Sequence, residues 1–336
     1  MKVAIIGATG AVGREMIQDL EESKIKECDV GLFASSRSQG LRLDFRGKKF
    51  EIQTFNLESL EGYQYALMSA GGDFSKKYSI DLMNQGVTVI DNSSAFRMDE
   101  RFPLIVPEVN GSLLEEAVYP IIIPNANCST IQMVVALHPL QKAFGLEMVH
   151  VSTYQSVSGT GQKGIAELST QVSEYLKFQE LTVKAYAQPI AFNLLPAIAD
   201  MDADGHCGEE IKMIKETQRI LDLPDLEICA STVRVPTFNC HGESLHVKLG
   251  KKVSRSEVLG ILRDADGIEL VEEDEHSMFP TPRGVTGKQK VYISRVRTMH
   301  GEESSNWVQM WCIADNLKKG AATNAVQILE AICKFK

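Results

Sequence analysis

Residues 2–13 read Lys-Val-Ala-Ile-Ile-Gly-Ala-Thr-Gly-Ala-Val-Gly, and this stretch decides the fold of the first half of the chain. The short β-branched run over 2–6 predicts a strand that ends at a glycine. Helix formers with apolar side chains at helical spacing over 14–22 predict a helix directly after it. The junction between the two fits the pattern G-x-x-G-x-x-G, with its glycines at Gly7, Gly10 and Gly13.

Glycines at a first strand–helix junction let the backbone approach a pyrophosphate, and the helix N-terminus supplies free N–H groups and positive potential. We therefore predict that this turn binds a dinucleotide. A plain glycine turn would show the same letters, but the position at the first junction favours the nucleotide. The predicted cofactor contacts are Gly7, Thr9, Gly10, Ala11 and Val12.

The rest of the chain divides into two patterns. Strand-like and helical segments alternate up to about residue 125, which implies a parallel sheet with helices on both faces. These segments are the strands 29–34, 65–70 and 87–91 and the helix 75–85. After Pro124, long alternating strands mixed with helices indicate an α+β domain whose mainly antiparallel sheet has one covered face. The strands are 148–157, 244–249, 291–298 and 307–313, and the helices include 209–221 and 254–262.

The predicted fold class is therefore α/β, with an N-terminal Rossmann-type nucleotide-binding domain and a C-terminal α+β domain. We expect the first domain over 1–127, joined by a C-terminal helix over 317–336, and the second over 128–316. A length of 336 residues suits about two domains.

Composition narrows the possible partners. The net charge of −9 with scattered basic residues argues against nucleic acid or an anionic membrane as a partner. No apolar stretch approaches the roughly 20 residues that a membrane span needs, and the first residues predict a strand rather than a signal peptide. Seven widely spaced cysteines without metal-ligand spacing exclude a disulfide framework and predict no metal site. We expect a soluble protein in a reducing cytoplasm.

The end of the second predicted strand bears on the choice between NAD and NADP. Proteins that bind NAD usually place Asp or Glu there, for the ribose hydroxyls. Here residues 33–38 read Phe-Ala-Ser-Ser-Arg-Ser, and a guanidinium with hydroxyls suits a 2′-phosphate. NADP is therefore favoured, although an exposed loop arginine would give the same pattern. The predicted contacts are Ser35, Ser36, Arg37 and Ser38.

A candidate nucleophile follows in the stretch 124–130, Pro-Asn-Ala-Asn-Cys-Ser-Thr, which precedes an apolar run over 131–137. Cys128 is thus predicted at a helix N-terminus, where positive potential favours a thiolate over a thiol with its ordinary pKa of about 8.5. The polar neighbours distinguish Cys128 from the other six cysteines, for which a buried inert thiol is the simpler interpretation.

Over essentially its whole length the chain resembles the aspartate-β-semialdehyde dehydrogenases. The resemblance is carried by blocks in the family's order: GATGAVG (7–13), SSRS (35–38), DNSSAFR (91–97), PNANCST (124–130), YQSVSG (154–159), GEEIK (208–212), RVP (234–236) with His241, and DNL (315–317). It implies NADP-dependent, phosphate-linked interconversion of aspartyl phosphate and aspartate semialdehyde for lysine, threonine and methionine synthesis. It also implies a homodimer in which the first domain is an NADP-binding domain and the second is the catalytic and dimerisation domain.

The resemblance implies a role for each matching residue. Cys128 would form the acyl thioester, His241 would be the acid/base and Gln155 would orient the substrate. The other implied contacts are Glu209 and Arg234 for substrate, Arg97 and Lys212 for inorganic phosphate, and Ser158, Gly159 and Asn316 for cofactor. Without the resemblance, these residues also fit roles that involve no catalysis or binding: a structural histidine, a strand-end arginine, a solvent-facing glutamine and a surface Glu–Lys pair.

Two other functions remain open from the sequence. N-acetyl-γ-glutamyl-phosphate reductase would share the fold and the nucleophile, but an acetylated substrate gives Glu209 no ammonium group to bind. A non-enzymatic NADP sensor would keep the nucleotide domain, yet it would not need Cys128, Gln155, Arg234 and His241 together.

Overall fold

The computed structural model describes residues 1–272, 278–299 and 303–334. The chain forms two compact units, one of Met1–Asn127 with the residues from Ala321 onward, and one of Cys128–Gly320. The elements up to the first unit's last strand are β1 (Lys2–Ile6), α1 (Ala11–Glu22), β2 (Asp29–Ala34), β3 (Arg42–Phe45), β4 (Lys48–Glu51), β5 (Gln53–Thr54), β6 (Tyr65–Met68), α2 (Gly72–Asn84), β7 (Thr88–Asp91), α3 (Pro107–Asn110) and β8 (Ile122–Pro124).

The second unit and the C-terminal helix complete the chain. Their elements are α4 (Cys128–Phe144), β9 (Leu146–Gln155), α5 (Gln162–Leu176), α6 (Gly208–Ile220), β10 (Glu227–Arg234), β11 (His241–Ser254), α7 (Arg255–Arg263), β12 (Ile268–Val271), α8 (Pro282–Val285), β13 (Val291–Thr298), β14 (Ser304–Ala314) and α9 (Thr323–Lys334).

The first unit is built on a six-stranded sheet in the order β5-β2-β1-β6-β7-β8, and every pairing in it is parallel. One face of the sheet packs against α1 and α9, and the other against α2. The strands are buried on both faces, which explains their continuous apolar runs. The predicted parallel sheet with helices on both faces is confirmed.

The second unit holds a six-stranded sheet in the order β10-β9-β11-β14-β13-β12. Its three central pairings are antiparallel, and the two outer pairings, β10 with β9 and β12 with β13, are parallel. The sheet is therefore mixed. Long connections, including α5 and α6 between β9 and β10, permit the parallel pairings, and strand patterning alone does not reveal them.

Helices α4, α6 and α7 pack on one face of this mixed sheet. Alternate residues of β9 are buried toward that face and exposed on the other, as the period-two pattern predicts. The open face carries Tyr154, His150, Trp307 and Trp311.

The C-terminal segment differs in detail from the helix predicted over 317–336. A π-helical turn over Lys318–Ala322 precedes α9, and α9 packs with α1 inside the first unit. The predicted residues 335 and 336 lie outside the described residues. No helix among residues 1–272, 278–299 and 303–334 combines the length and apolar character that crossing a membrane requires.

Candidate active site

Cys128 is the first residue of α4 and is half-buried. The chain passes close to it at Gly320, where a Cβ atom would lie 3.0 Å from the Cβ of Cys128. That separation is tighter than ordinary carbon contacts, so a larger residue than glycine at 320 would press directly on the thiol-bearing residue. The helix-start position predicted for Cys128 is thus observed.

A buried polar network begins at the next residue. The amide Nε2 of Gln155 donates to Oγ of Ser129 at 2.7 Å and to Oε1 of Glu209 at 3.2 Å. Ser129 in turn donates to the same Glu209 oxygen at 3.3 Å, and Lys212 Nζ lies 3.3 Å from the other one. The Glu209 carboxylate is therefore satisfied on both oxygens within a largely buried site. The Glu209–Lys212 pair is part of this network rather than of a solvated surface.

Strand register brings three predicted residues side by side. Gln155 ends β9, Arg234 ends β10, and His241 begins β11. Gln155 is opposite Arg234 in the parallel pairing and opposite His241 in the antiparallel one. Residues that are far apart in sequence thus meet at one end of the mixed sheet.

His241 is fully buried, and its two ring nitrogens have different environments. Nδ1 accepts the backbone N–H of Ser156 at 3.1 Å, with the Ser156 hydroxyl 3.2 Å away. Nε2 has no hydrogen-bond partner among the described residues. Because an N–H group can only donate, Nδ1 carries no proton, and the neutral ring carries its proton on Nε2. Nε2–H is therefore an unused buried donor.

The charge state of His241 differs from that expected of the acid/base histidine implied by the resemblance, whose pKa would lie near 7. Burial, with a contribution from the nearby Arg234 guanidinium, lowers the pKa of His241 to about 3. Protonating Nδ1 would also set two donors against each other at Ser156. The ring is thus held neutral at physiological pH.

Arg234 is buried, and its NH1 donates to the carbonyl oxygen of Ser156 at 2.7 Å. Gly159 lies over this pair of side chains. A Cβ atom at 159 would come within 2.7 Å of the Arg234 NH1 and 3.4 Å of the His241 Nε2. Glycine is therefore required here to leave the guanidinium and the imidazole in place.

Asn316 and Ser158, which the resemblance assigns to the cofactor, are buried and bonded to each other. The Asn316 Oδ1 also accepts from the Ser156 hydroxyl at 3.1 Å and from the backbone N–H of Cys240 at 2.9 Å. Cys240 has a positive φ of 70°. In this structure, Asn316 fixes the backbone on which His241 is presented.

The glycine turn of the first unit is shaped for a phosphate. A Cβ on Gly7, whose φ is +86°, would lie 2.2 Å from the carbonyl oxygen of Ser69. A Cβ on Gly13 would lie 2.1 Å from the carbonyl oxygen of Gly7. No side chain caps α1 at Gly10 in the described structure, so its first-turn N–H groups are available to an anion. These residues fit the pyrophosphate of a dinucleotide.

The segment after β2 supplies the other predicted nucleotide contacts. Ser36–Ser38 form one 3₁₀ turn, and the hydroxyls of Thr9 and Ser38 lie 3.3 Å apart. Arg37 is exposed. The turn that carries Arg37 thus contacts the glycine turn through the hydroxyl of Ser38.

Arg97 also belongs to the first unit and is buried. Its Nε donates to the carbonyl of Asn125 at 2.8 Å and its NH2 to the carbonyl of Asn92 at 3.0 Å. The side chain of Asn125 donates to Asn92 Oδ1 at 2.6 Å, and Asn324 of α9 donates to Asn125 Oδ1 at 2.6 Å. Main-chain carbonyls held by an amide network therefore fix the guanidinium.

Three residues in these contacts had no role assigned from sequence. Ser129 links Gln155 to Glu209, Ser156 holds His241 and Arg234, and Gln132 donates to the carbonyl of His241 at 3.0 Å. Gln132 carried a signal, because it is the one polar residue in the apolar run 131–137. The two serines stand in quoted motifs, but only the fold reveals their partners.

Two family domains match the chain. The semialdehyde dehydrogenase NAD binding domain matches residues 2–117, and the semialdehyde dehydrogenase dimerisation domain matches residues 137–319. Together with the fold, they define a nicotinamide-nucleotide-dependent semialdehyde dehydrogenase.

Comparison with full-length relatives identifies the family within this class of enzymes. The aspartate-semialdehyde dehydrogenase of Bacillus subtilis is 40% identical, with 100% of this chain and 98% of that protein covered. That of Aquifex aeolicus is 42% identical, with 99% and 98% covered. The crystal structure of aspartate semialdehyde dehydrogenase II from Vibrio cholerae complexed with ASA superposes with a TM-score of 0.94, at 41% identity and with 99% and 98% covered. The chain belongs to the aspartate-semialdehyde dehydrogenase family.

Proposed function

We propose that this protein reduces L-4-aspartyl phosphate to L-aspartate 4-semialdehyde and inorganic phosphate with NADPH, reversibly, in the synthesis of lysine, threonine, methionine and diaminopimelate. The observation that carries the proposal is the continuity of the site in the second unit. Cys128 starts α4, Ser129 bonds to Gln155, and Gln155 is the register partner of His241. A thiol, an orienting amide and an unused N–H donor thus belong to one site.

The thiolate of Cys128 attacks the acyl carbon of the substrate and expels phosphate, which leaves an acyl thioester on Sγ. When bound, the reduced nicotinamide supplies a hydride to that carbon. The carbonyl oxygen becomes an oxyanion, and its collapse breaks the carbon–sulfur bond, which forms the aldehyde and releases the thiolate. The covalent route divides one difficult step into two.

His241 stabilises the oxygen that gains charge. Its Nε2–H is buried and has no other partner in the described residues. A preorganised donor in a water-poor site is worth about 3 kcal/mol of transition-state stabilisation. Because the ring is neutral at physiological pH, it donates this hydrogen bond without requiring an imidazolium. In the oxidative direction the same N–H stabilises the oxyanion that forms when the thiolate adds to the aldehyde, before hydride leaves from that carbon.

The substrate's charged groups find partners of opposite sign. Arg234 offers a guanidinium for the α-carboxylate, which planar donors bind in a bidentate fashion. Glu209 offers a buried carboxylate for the ammonium group, and Gln155 orients both Glu209 and Ser129. We assign inorganic phosphate to Lys212 and Arg97, the latter held ready by main-chain carbonyls.

We assign the nucleotide to the domain over 1–127 and catalysis to that over 128–316, with Ser158, Gly159 and Asn316 as cofactor contacts in the second. The preference for NADP over NAD follows from Arg37 and its serines, since the end of β2 carries no carboxylate to repel a 2′-phosphate.

We also propose a homodimer formed through the open face of the mixed sheet. This face carries aromatic and histidine side chains. Among the described helices of the second unit, only the short α8 packs on it, where Val285 contacts Ile313 and Trp311. None of the seven cysteines forms a disulfide in the described structure, which supports the proposal of a reducing cytoplasmic environment.

The test is a matrix of initial rates for the oxidative reaction, with NADP or NAD and with or without inorganic phosphate. We expect activity only with phosphate, and higher activity with NADP. Activity that ignores phosphate would indicate a hydrolytic aldehyde dehydrogenase. In the reductive direction, faster turnover of N-acetyl-γ-glutamyl phosphate than of aspartyl phosphate would select that alternative. NADPH binding with no reaction at all would select a sensor.

A further inference from the structure

Glu243 is a buried carboxyl group that the proposed reaction does not use. It lies on β11 two residues after His241, so both side chains point to the helix-covered face of the mixed sheet. Its register partners are Thr153 on β9 and Cys312 on β14. Glu243 is 0% exposed. A carboxyl group therefore sits in the core directly behind the first residue of β11.

Several polar side-chain atoms at and around Glu243 have no hydrogen-bond partner among the described residues. Neither of its carboxyl oxygens has a partner among the described residues, and the same holds for Oε1 of Gln132 and Oγ1 of Thr153. Gln132 on α4 is in contact with the carboxyl group, and this contact by itself would lower the Glu243 pKa, but its Nε2 also donates to the main-chain carbonyl of His241. An ionised Glu243 could only accept hydrogen bonds, and the unpartnered amide oxygen of Gln132, which is also an acceptor, could not satisfy it. A buried acceptor left without a donor is unfavourable, because it has lost its hydrogen bonds to water and gained none in the protein.

One proton removes this conflict. A neutral carboxylic acid is both donor and acceptor, whereas a carboxylate only accepts. The nearby Glu209 on α6 is acidic and raises the pKa of Glu243, whereas Cys312 on β14, whose own pKa is raised well above its ordinary value, is a neutral thiol. Burial raises the pKa of Glu243 well above its ordinary value and outweighs the contact with Gln132, which acts in the opposite direction. Geometry and electrostatics therefore agree on the protonation state.

We propose that Glu243 is a positioning residue: a neutral carboxylic acid whose O–H donates to Oε1 of Gln132. The Nε2 of the same amide donates to the main-chain carbonyl of His241 at 3.0 Å. Locking the amide oxygen fixes which end of Gln132 faces His241. Glu243 thereby acts through Gln132 on the placement of the imidazole, and this role in catalysis rests on the proposed function.

The protonation state is tested without any assay of activity. Infrared difference spectra between the full-length wild-type protein and Glu243→Gln are recorded at neutral pH, with hydrogen–deuterium exchange of the carboxyl proton as a check. We expect the wild type to show the carbonyl stretch of a protonated carboxyl group that the variant lacks. A carboxylate stretch in its place overturns the proposal, whether or not the protein has the proposed activity.

The positioning role is tested by steady-state kinetics of three variants whose melting temperatures are also recorded. Glu243→Gln keeps a donor toward Gln132, and we expect it to keep kcat within about threefold of wild type. Glu243→Leu removes the donor, and we expect kcat to fall about tenfold or more with little change in KM. Thr153→Val, the matched control on the neighbouring strand, is expected to behave like wild type.

Each other result contradicts the proposal. Wild-type kcat in Glu243→Leu excludes the positioning role. A loss in Glu243→Gln as large as in Glu243→Leu shows that the charged form is required. If kcat falls as much in Thr153→Val as in Glu243→Leu, the acceptor of the Glu243 proton is Thr153 rather than Gln132. If the wild type itself fails to reduce aspartyl phosphate, the proposed function fails and the infrared result on Glu243 still stands.

Discussion

The side-chain amide of Gln155 donates to the hydroxyl of Ser129 across 2.7 Å, and Ser129 directly follows Cys128 in the chain. This contact ties the end of β9 to the first turn of α4. Since Gln155 also donates to Glu209, one amide orients the start of the nucleophile's helix and the carboxylate that we assign to the substrate ammonium. The orientation of the site thus depends on a short list of buried hydrogen bonds.

Removing this amide should be costly. In Gln155→Ala both Ser129 and Glu209 lose a buried donor, and an unsatisfied buried group costs about 1–3 kcal/mol. We expect kcat/KM for aspartate semialdehyde to fall by roughly one to two orders of magnitude. Ser152→Ala, an exposed change on the same strand, serves as the control and should stay near wild type. Equal rates in all three proteins would remove Gln155 from the site.

A methyl group at Gly159 should disable the site without unfolding the protein. The added Cβ would meet the Arg234 NH1 at 2.7 Å and displace the guanidinium from its bond to Ser156. We expect Gly159→Ala to raise KM for the semialdehyde about tenfold or more, with a melting temperature close to wild type. Gly260→Ala in α7, where a Cβ meets nothing within 4 Å, should keep wild-type kinetics and gain a little stability. Wild-type KM in Gly159→Ala would argue against substrate binding by Arg234.

The lowered pKa of His241 makes a prediction about acid stability. The folded state keeps the ring neutral down to about pH 3, whereas an unfolded histidine titrates near 6.5. The contribution of the neutral ring is therefore fully present above pH 6.5 and is lost as the pH falls toward 3. We expect urea unfolding free energies of the wild type to fall more steeply over this range than those of His241→Asn. Parallel curves for the two proteins would contradict the buried neutral imidazole.

Arg37 should determine the preference between the two nicotinamide cofactors. In Arg37→Ala we expect kcat/KM for NADP to fall by roughly tenfold to a hundredfold, while that for NAD changes little, because only NADP carries the 2′-phosphate. Arg42→Ala, which removes another exposed arginine nearby, is the matched control. An equal loss for both cofactors would show that Arg37 does not contact the 2′-phosphate.

Much of the fold follows from local pattern. Strands β1, β2 and β13 have the predicted bounds. A strand buried on one face alternates apolar and polar residues, and a strand buried on both faces is a continuous apolar run, so both can be recognised in the sequence. The parallel pairing of the outer strands in the second sheet does not follow from local pattern. Pairing direction depends on the connections between strands, and these connections contain helices. The C-terminal segment also begins with a π-helical turn that helical periodicity does not distinguish from α-helix.

The residues of the site could be predicted from the sequence, but their contacts and protonation states could not. Motifs located Cys128, Gln155 and His241, but only the three-dimensional register makes them neighbours. The protonation of His241 could not be read from sequence, because it depends on a backbone N–H from Ser156 and on complete burial. Glu243 did carry a signal. It occupies an inward position of a strand whose next inward residues are Leu245 and Val247.

The most direct test of the account is mass spectrometry of the protein after mixing with aspartate semialdehyde and NADP in the absence of phosphate. We predict an aspartyl acyl group in thioester linkage on Cys128, which inorganic phosphate then removes as aspartyl phosphate. Cys128→Ala should show neither the adduct nor turnover. An adduct on another residue, or turnover by Cys128→Ala at a tenth or more of the wild-type rate, would contradict the central claim.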